Sequence, residues 1–206
     1  MPLVRGDSSK PAKTGHQGDI ATHLAALGSP DAERRWAAAR ALAGHGQAVP
    51  ALAAALAVER VTRVREAIMT ALMRTGGEAS VKAMLPYLRS QDPGLRAATI
   101  EALQSLPEAV APFMTTLFGD ANADVRLLAT ELARNMSATD ATRLLCGLIE
   151  HEEHPNVCAA AIDVLTEVGT HEAIPALKSC ATRFASTPFL PFAVSAAITR
   201  ISGAEG

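Results

Sequence analysis

A short signature returns along this chain at nearly constant spacing, and a chain built on such a return can only stack. It reads Arg35-Trp36-Ala37-Ala38 running to Leu42, then Val64-Arg65-Glu66-Ala67 running to Leu72. It returns as Leu95-Arg96-Ala97-Ala98 to Leu103 and Val125-Arg126-Leu127-Leu128 to Ala133. Degenerate copies follow at Val157-Cys158-Ala159-Ala160 and Leu190-Pro191-Phe192-Ala193. The arginine position falls at 35, 65, 96, 126, 158 and 191, a spacing of 30 to 33 residues. A unit of that size cannot bury its own apolar face, so neighbouring copies must cover one another.

A second pattern lies between the copies: Val49, Leu52 and Leu56; Val81, Met84 and Leu88; Val110, Phe113 and Leu117; Ala141, Leu144 and Leu148; Ile174, Leu177 and Ala181. Spacings of three and four residues mark one helix stripe. Each unit is therefore expected to hold two helices, A then B. Ser29-Pro30, Asp92-Pro93, His154-Pro155 and Thr187-Pro188 have the form of helix starts. Gly44, Gly46, Gly76, Gly77 and Gly169 fall where A helices should end, in caps of positive φ. With no period-two segment, the expectation is all-α, with about twelve helices. These make about five full helical-hairpin repeats plus terminal half-repeats: a lone B-type helix at 19–27 and a lone A-type helix at 188–202. The expected domains are a disordered segment at 1–18, one repeat domain at 19–202, and a tail at 203–206.

Composition suits this plan. Of 206 residues 42 are alanine and 22 leucine, with 49% apolar, 3% aromatic and a net charge of -2. Alanine is the best helix former and lets helices approach closely. Leu42, Leu72, Leu103 and Leu165 are the expected core. The apolar content with a near-neutral charge excludes a wholly disordered chain, and a pI near 6.3 argues against a nucleic-acid partner. The richest apolar run, 48–58, is too short for a membrane span and contains Pro50. The first 20 residues lack the apolar stretch of a signal peptide. Three cysteines without a CxxC read as reduced, partly buried thiols, which places the chain in the cytoplasm.

Asp92-Pro93-Gly94-Leu95-Arg96-Ala97-Ala98 with Glu101-Ala102-Leu103 carries a family resemblance. Asp124-Val125-Arg126 and Gly169 with Glu172-Ala173-Ile174-Pro175-Ala176-Leu177 support it. The pattern resembles the HEAT-like repeats of bacterial proteins, the short variety also found in phycobilin lyases. The resemblance covers residues 19 to 202. It implies a right-handed α-α superhelix, a HEAT-like solenoid with A helices convex and B helices concave. It specifies fold and leaves function open.

Arg35, Arg65, Arg96 and Arg126 are read as a structural ladder that pairs with carboxylates and carbonyls of adjacent repeats. The ladder lapses at Val61, where an Asp belongs, and at Cys158 and Pro191, where arginines belong. His151-Glu152-Glu153-His154 has metal-ligand residue types, but the histidine spacing is not that of HExxH and Pro155 follows. It reads as a solvated turn, so no metal and no cofactor are expected. His-Glu pairs serve as iron ligands in HEAT-like deoxyhypusine hydroxylases, but His171-Glu172 falls in the wrong register for that activity. A few basic residues on the B helices, Lys82, Arg89, Arg143, Lys178 and Arg183, are too diluted for the DNA-binding mode of HEAT-like glycosylases. His23 and His45 read as solvent-facing, and Trp36 as packing on the N-terminal cap.

The outward B positions form a smooth, weakly charged face: Ala51, Ala54, Ala55, Ala83, Tyr87, Thr115, Thr116, Arg143, Cys146, Gly147, Ala176, Ser179 and Cys180. The expected partner-binding residues are Tyr87, Thr115, Thr116, Arg143, Cys146 and Gly147, with Tyr87 as anchor. The segment 184–192 holds three of the five Phe and reads first as a core cap, otherwise as an exposed contact patch. The function expected is a non-enzymatic scaffold or adaptor, a monomer or weak homodimer that docks another protein. The alternative is an enzyme of the phycobilin-lyase type, for which Cys146, Tyr87 and Asp140 are available, or a metal-dependent activity.

Overall fold

Three A helices begin on the same device. Asp31 accepts from the Glu33 N–H at 2.9 Å, Asp92 from the Gly94 N–H at 2.9 Å, and Asn122 from the Asp124 N–H at 2.8 Å. Each satisfies a backbone donor that the helix itself leaves open. Two residues earlier, another side chain accepts the cap's own N–H: Ser29 for Asp31, Ser90 for Asp92 and Asp120 for Asn122. Val61 and His154 make no side-chain cap bond. In those two turns Glu59 and Glu152 take the same place and accept from Val61 N–H and His154 N–H. The lapse at Val61 is thus repaired within its own turn.

The computed structural model describes residues 14–203, and no strand occurs among them. In chain order the α-helices are α1 (Thr14–Ala26), α2 (Ala32–Ala41), α3 (Val49–Val58), α4 (Thr62–Thr75) and α5 (Gly77–Met84). Then come α6 (Pro93–Gln104), α7 (Pro107–Val110), α8 (Met114–Phe118), α9 (Ala123–Leu132), α10 (Ala138–His151), α11 (Pro155–Val168), α12 (Ile174–Arg183) and α13 (Phe189–Gly203). Short 3₁₀ turns extend or join them, so the described residues form twelve continuous helical stretches. Pro50, Pro86, Pro112 and Pro175 lie in or next to these turns on the B side. A proline removes one backbone donor, and the tighter turn accommodates that loss.

The A helices α2, α4, α6, α9, α11 and α13 stack in one layer. The B helices α3, α5, α7/α8, α10 and α12 stack in a second, and each lies along the A helix that follows it. One core runs between the layers. Leu42, Leu72, Leu103 and Leu165 are fully buried in it, and so are Ala39, Ala129 and Ala161 where A helices meet. This is an all-α HEAT-like solenoid, with alanine at the close approaches.

Several expectations need correction. α1 starts at Thr14, so the last five residues of the expected disordered segment are helical; residues 1–13 and 204–206 lie outside the described residues. Positive φ occurs at Gly44, Gly76 and Gly77 but not at Gly46 or Gly169. Gly169 is required for a different reason: a Cβ there would collide with the Leu165 carbonyl. In the later B helices Val110, Leu117, Ala141, Leu148 and Leu177 are buried as expected, but four stripe positions are displaced by one residue. Met114, Leu145, Ala173 and Cys180 are buried, while Phe113, Leu144, Ile174 and Ala181 are only partly so. Ala176 and Cys180 therefore belong to the core and not to the outward face.

At the C-terminal end, Leu190 and Val194 of α13 close the core. Phe189 and Phe192 do not: they are 47% and 77% exposed. Trp36 is half-buried, and its ring faces two cations, with the Arg40 and Arg63 guanidinium carbons 4.6 Å and 4.1 Å from the ring centre. These two ring contacts lie within α2 and with α4. His23 and His45 are half-buried.

Candidate functional site

The ladder arginines sit on the first turn of successive A helices and reach two ways. Backward, Arg35, Arg96 and Arg126 donate to the carbonyls of Ser29, Ser90 and Asp120, at 2.9, 2.6 and 2.8 Å. Forward, Arg35 grips both carboxylate oxygens of Glu59 at 2.7 and 3.0 Å, and Arg126 those of Glu152 at 2.6 and 2.8 Å. Arg65 pairs with Asp92 at 3.1 Å. Arg96 has no carboxylate across from it; Asp120 in that turn pairs with Arg89. A forked arginine–carboxylate pair fixes direction as well as distance, so these contacts set the angle between repeats.

Glu152 is 6% exposed. The solvated-turn reading of His151-Glu152-Glu153-His154 is therefore wrong for its central residue, which is buried and held by Arg126. Burial pushes the Glu152 carboxyl up, but the bonds from Arg126 and the His154 amide outweigh it, and the net direction is down. Glu59 is held at about 2, chiefly by the Arg35 hydrogen bond, against a burial penalty and with help from the Val61 and Arg60 amides. A carboxyl depressed in the folded state stabilises above its unfolded value and loses that contribution as pH falls. Glu59 is thus expected to contribute about 3 kcal/mol at neutral pH, lost between about pH 4.5 and pH 2. Urea unfolding of Glu59→Gln at pH 7 and pH 3 checks this; the variant's stability should fall less on acidification.

Next to the Arg126–Glu152 pair a cleft of about 640 Å³ opens along the B layer. α8 supplies Thr115 and Phe118, and α10 supplies Arg143, Leu144, Gly147, Leu148 and His151. Asp120, Arg126, Glu152 and Glu153 close its end. Nothing lies within 4 Å of where a Cβ on Gly147 would be. Arg143 is held by Asp140 at 3.2 Å, and Asp140 in turn accepts from the Ser137 hydroxyl at 2.7 Å. Of the six residues expected to bind a partner, the cleft gathers Thr115, Arg143 and Gly147. Thr116 is exposed outside it, and Tyr87 and Cys146 are half-buried elsewhere. Phe118, Leu144 and Glu153 were not anticipated. Leu144 reaches the cleft because Leu145 takes the core position of α10, a choice that helix spacing alone does not reveal.

Burial, with the nearby Glu150 and Glu172 charges, pushes the Cys146 thiol up to about 11. It is a protonated thiol at neutral pH, a poor nucleophile. Among the described residues no three His, Cys, Asp or Glu side chains gather as metal ligands. No described helix is long and apolar enough to cross a membrane.

Stacked helix pairs, a continuous two-layer core and a ladder at the turns define a helical-repeat protein. A family model for HEAT repeats matches residues 20–104 and 110–185. The chain belongs to the HEAT-repeat family. The bilin biosynthesis protein PecE of Mastigocladus laminosus is 46% identical over 71 residues, which is 34% of this chain. The match spans 26% of PecE, about a quarter of its length. Two similar solved structures are an engineered protein and a designed repeat protein. One engineered protein has a TM-score of 0.45 at 17% identity, covering 89% of this chain and 96% of its own. A designed armadillo repeat protein in complex with the peptide (KR)4 has a TM-score of 0.45 at 15% identity, covering 89% and 99%.

Proposed function

We propose that the chain is a non-enzymatic cytoplasmic scaffold or adaptor that docks another protein on its B-helix face. The observation that carries this reading is the cleft between α8 and α10. It is open, it mixes apolar Phe118 and Leu144 with charged Arg143, and its floor at Gly147 is unfilled. Protein surfaces that anchor a partner combine an apolar pocket with an oriented charge. The exposed Phe189 and Phe192 at the C-terminal end are the second docking surface. A monomer or weak homodimer is consistent with both.

Gly147→Arg tests the cleft without weakening the fold. Glycine inside a helix is costly, so the substitution should leave the urea midpoint equal or slightly higher. Partners recovered from the native host with the wild-type chain should be lost with this variant. If every partner stays bound at unchanged affinity to Gly147→Arg but leaves Phe192→Ser, the end patch is the docking surface. If neither variant loses a partner, the reading is wrong.

The 46% identity to PecE over 71 residues favours a second reading, an enzyme or carrier of the phycobilin-lyase type. Under that reading the cleft holds an open-chain tetrapyrrole, with the propionates on Arg143. A bilin mixed with the purified chain would then shift and sharpen its visible absorption. Under the scaffold reading its spectrum stays that of free pigment. The raised Cys146 leaves that residue poorly suited to thiol attack.

A further inference from the structure

Two rungs of the arginine ladder close in the same way. The arginine Nη1 donates back to a carbonyl, that of Ser29 for Arg35 and of Asp120 for Arg126. Its Nε and Nη2 then grip a glutamate that stands two residues ahead of the next cap. Arg65 closes on the cap Asp92 itself. Arg96 starts as Arg35 and Arg126 do, with Nη1 on the Ser90 carbonyl at 2.6 Å. Anchored by the same atom, it presents the same Nε–Nη2 edge forward. Among the described residues no acceptor meets that edge, and neither nitrogen is buried. The residue two ahead of the next cap is here Asp120, where the closed rungs have Glu59 and Glu152. Aspartate is one methylene shorter. Asp120 accepts the Asn122 N–H at 2.9 Å and pairs with Arg89, without reaching Arg96. Arg96 lines an open cleft of about 420 Å³ with Arg89, Gln91, Asn122, Asp124, Leu127 and Leu128. Arg89 is neutralised by Asp120, and Asp124 is exposed and makes no ion pair. The cleft thus holds one unmatched guanidinium beside one exposed carboxylate.

We propose that the open rung at Arg96 is a docking point for a glutamate of a partner protein, whose carboxylate takes the place that Glu59 and Glu152 fill within the chain. A guanidinium edge and a carboxylate match through two parallel hydrogen bonds, and the chain makes that match twice at its own closed rungs. Leu127 and Leu128 are half-buried and take apolar residues beside the glutamate. Nε2 of the exposed Gln91 and Nδ2 of the exposed Asn122 supply donors for its main-chain carbonyls. Asp124 repels a second carboxylate, so the site selects a single glutamate between apolar residues and not an acidic run. This cleft shares no lining residue with the one between α8 and α10, and it stands apart from the docking surfaces proposed above.

The test titrates the full chain with a blocked pentapeptide that carries glutamate between two leucines. NMR follows the Arg96 Nε–H and the Asn122 amide. The expected result is a saturable shift of both resonances with a midpoint in the millimolar range. The same peptide with glutamine in place of glutamate should bind about tenfold more weakly, since it loses the charge of the acceptor. Arg96→Lys keeps the charge without the fork, and its Asn122 response should weaken by a similar factor. Asp120→Glu supplies the missing methylene. It should move the Arg96 resonance in the absence of peptide and abolish the response to peptide. No saturable shift, or equal midpoints for the glutamate and glutamine peptides, would overturn the proposal. So would an Asp120→Glu chain whose Arg96 resonance moves and which still binds the peptide as before. Acetate that saturates the shift at the same midpoint as the peptide would assign the site to free carboxylates and remove the partner protein.

Discussion

Arg126→Ala is expected to destabilise the chain by about 3–5 kcal/mol at pH 7, the range for stranding one member of a buried ion pair. The Glu152 side chain is 3% exposed, and Arg126 provides two of the three hydrogen bonds to its carboxylate. Alanine leaves that carboxylate with the His154 amide alone. It also frees the Asp120 carbonyl at the end of the preceding B helix. Glu152→Gln should cost less, because Arg126 keeps its carbonyl contact and lies partly in solvent. The sign of the pH effect separates the charge from the packing. In the wild type the depressed Glu152 carboxyl loses its contribution as pH falls. In Arg126→Ala the stranded carboxyl is pushed up by burial, so protonation relieves it and acid stabilises this site. The gap between the two proteins in urea unfolding should therefore be widest at pH 7 and narrow by pH 4. A gap independent of pH would assign the loss to side-chain packing and not to the buried charge.

The ladder also shows what sequence can and cannot make visible. The period, the helix pairs and the buried Leu42, Leu72, Leu103 and Leu165 were legible because each copy repeats the same local physics. The forward partners of the arginines were not. Glu59 and Glu152 stand two residues ahead of the cap, whereas Asp92 is itself the cap. A carboxylate in any of these turn positions serves, so no fixed offset marks it. The B stripe was misread for a geometric reason. In the third B helix Met114, four residues after Val110, is buried with Val110 and Leu117 while Phe113 is only partly so, and spacings of three and four both fit one helix stripe. In α10 the two stripes, through Leu144 or through Leu145, both fit helix spacing, and only packing chooses Leu145.

Leu103→Ala is expected to cost about 2–5 kcal/mol. Leu103 is fully buried on α6, a central A helix with α4 on one side and α9 on the other. A stacked array is held by each unit and by the interfaces it shares with its neighbours. A cavity at Leu103 weakens both A-layer interfaces of the third repeat, whereas the same truncation at the terminal Ile201 weakens one. Ala71, Ala102 and Ala129 are buried on the same three A helices, so part of the surrounding core is too short to reach into the hole. The urea midpoint of Leu103→Ala should therefore fall by more than that of Ile201→Ala. If the central interface drops below those around it, the single transition should separate into two. An unchanged midpoint would show that Leu103 is not part of the continuous core.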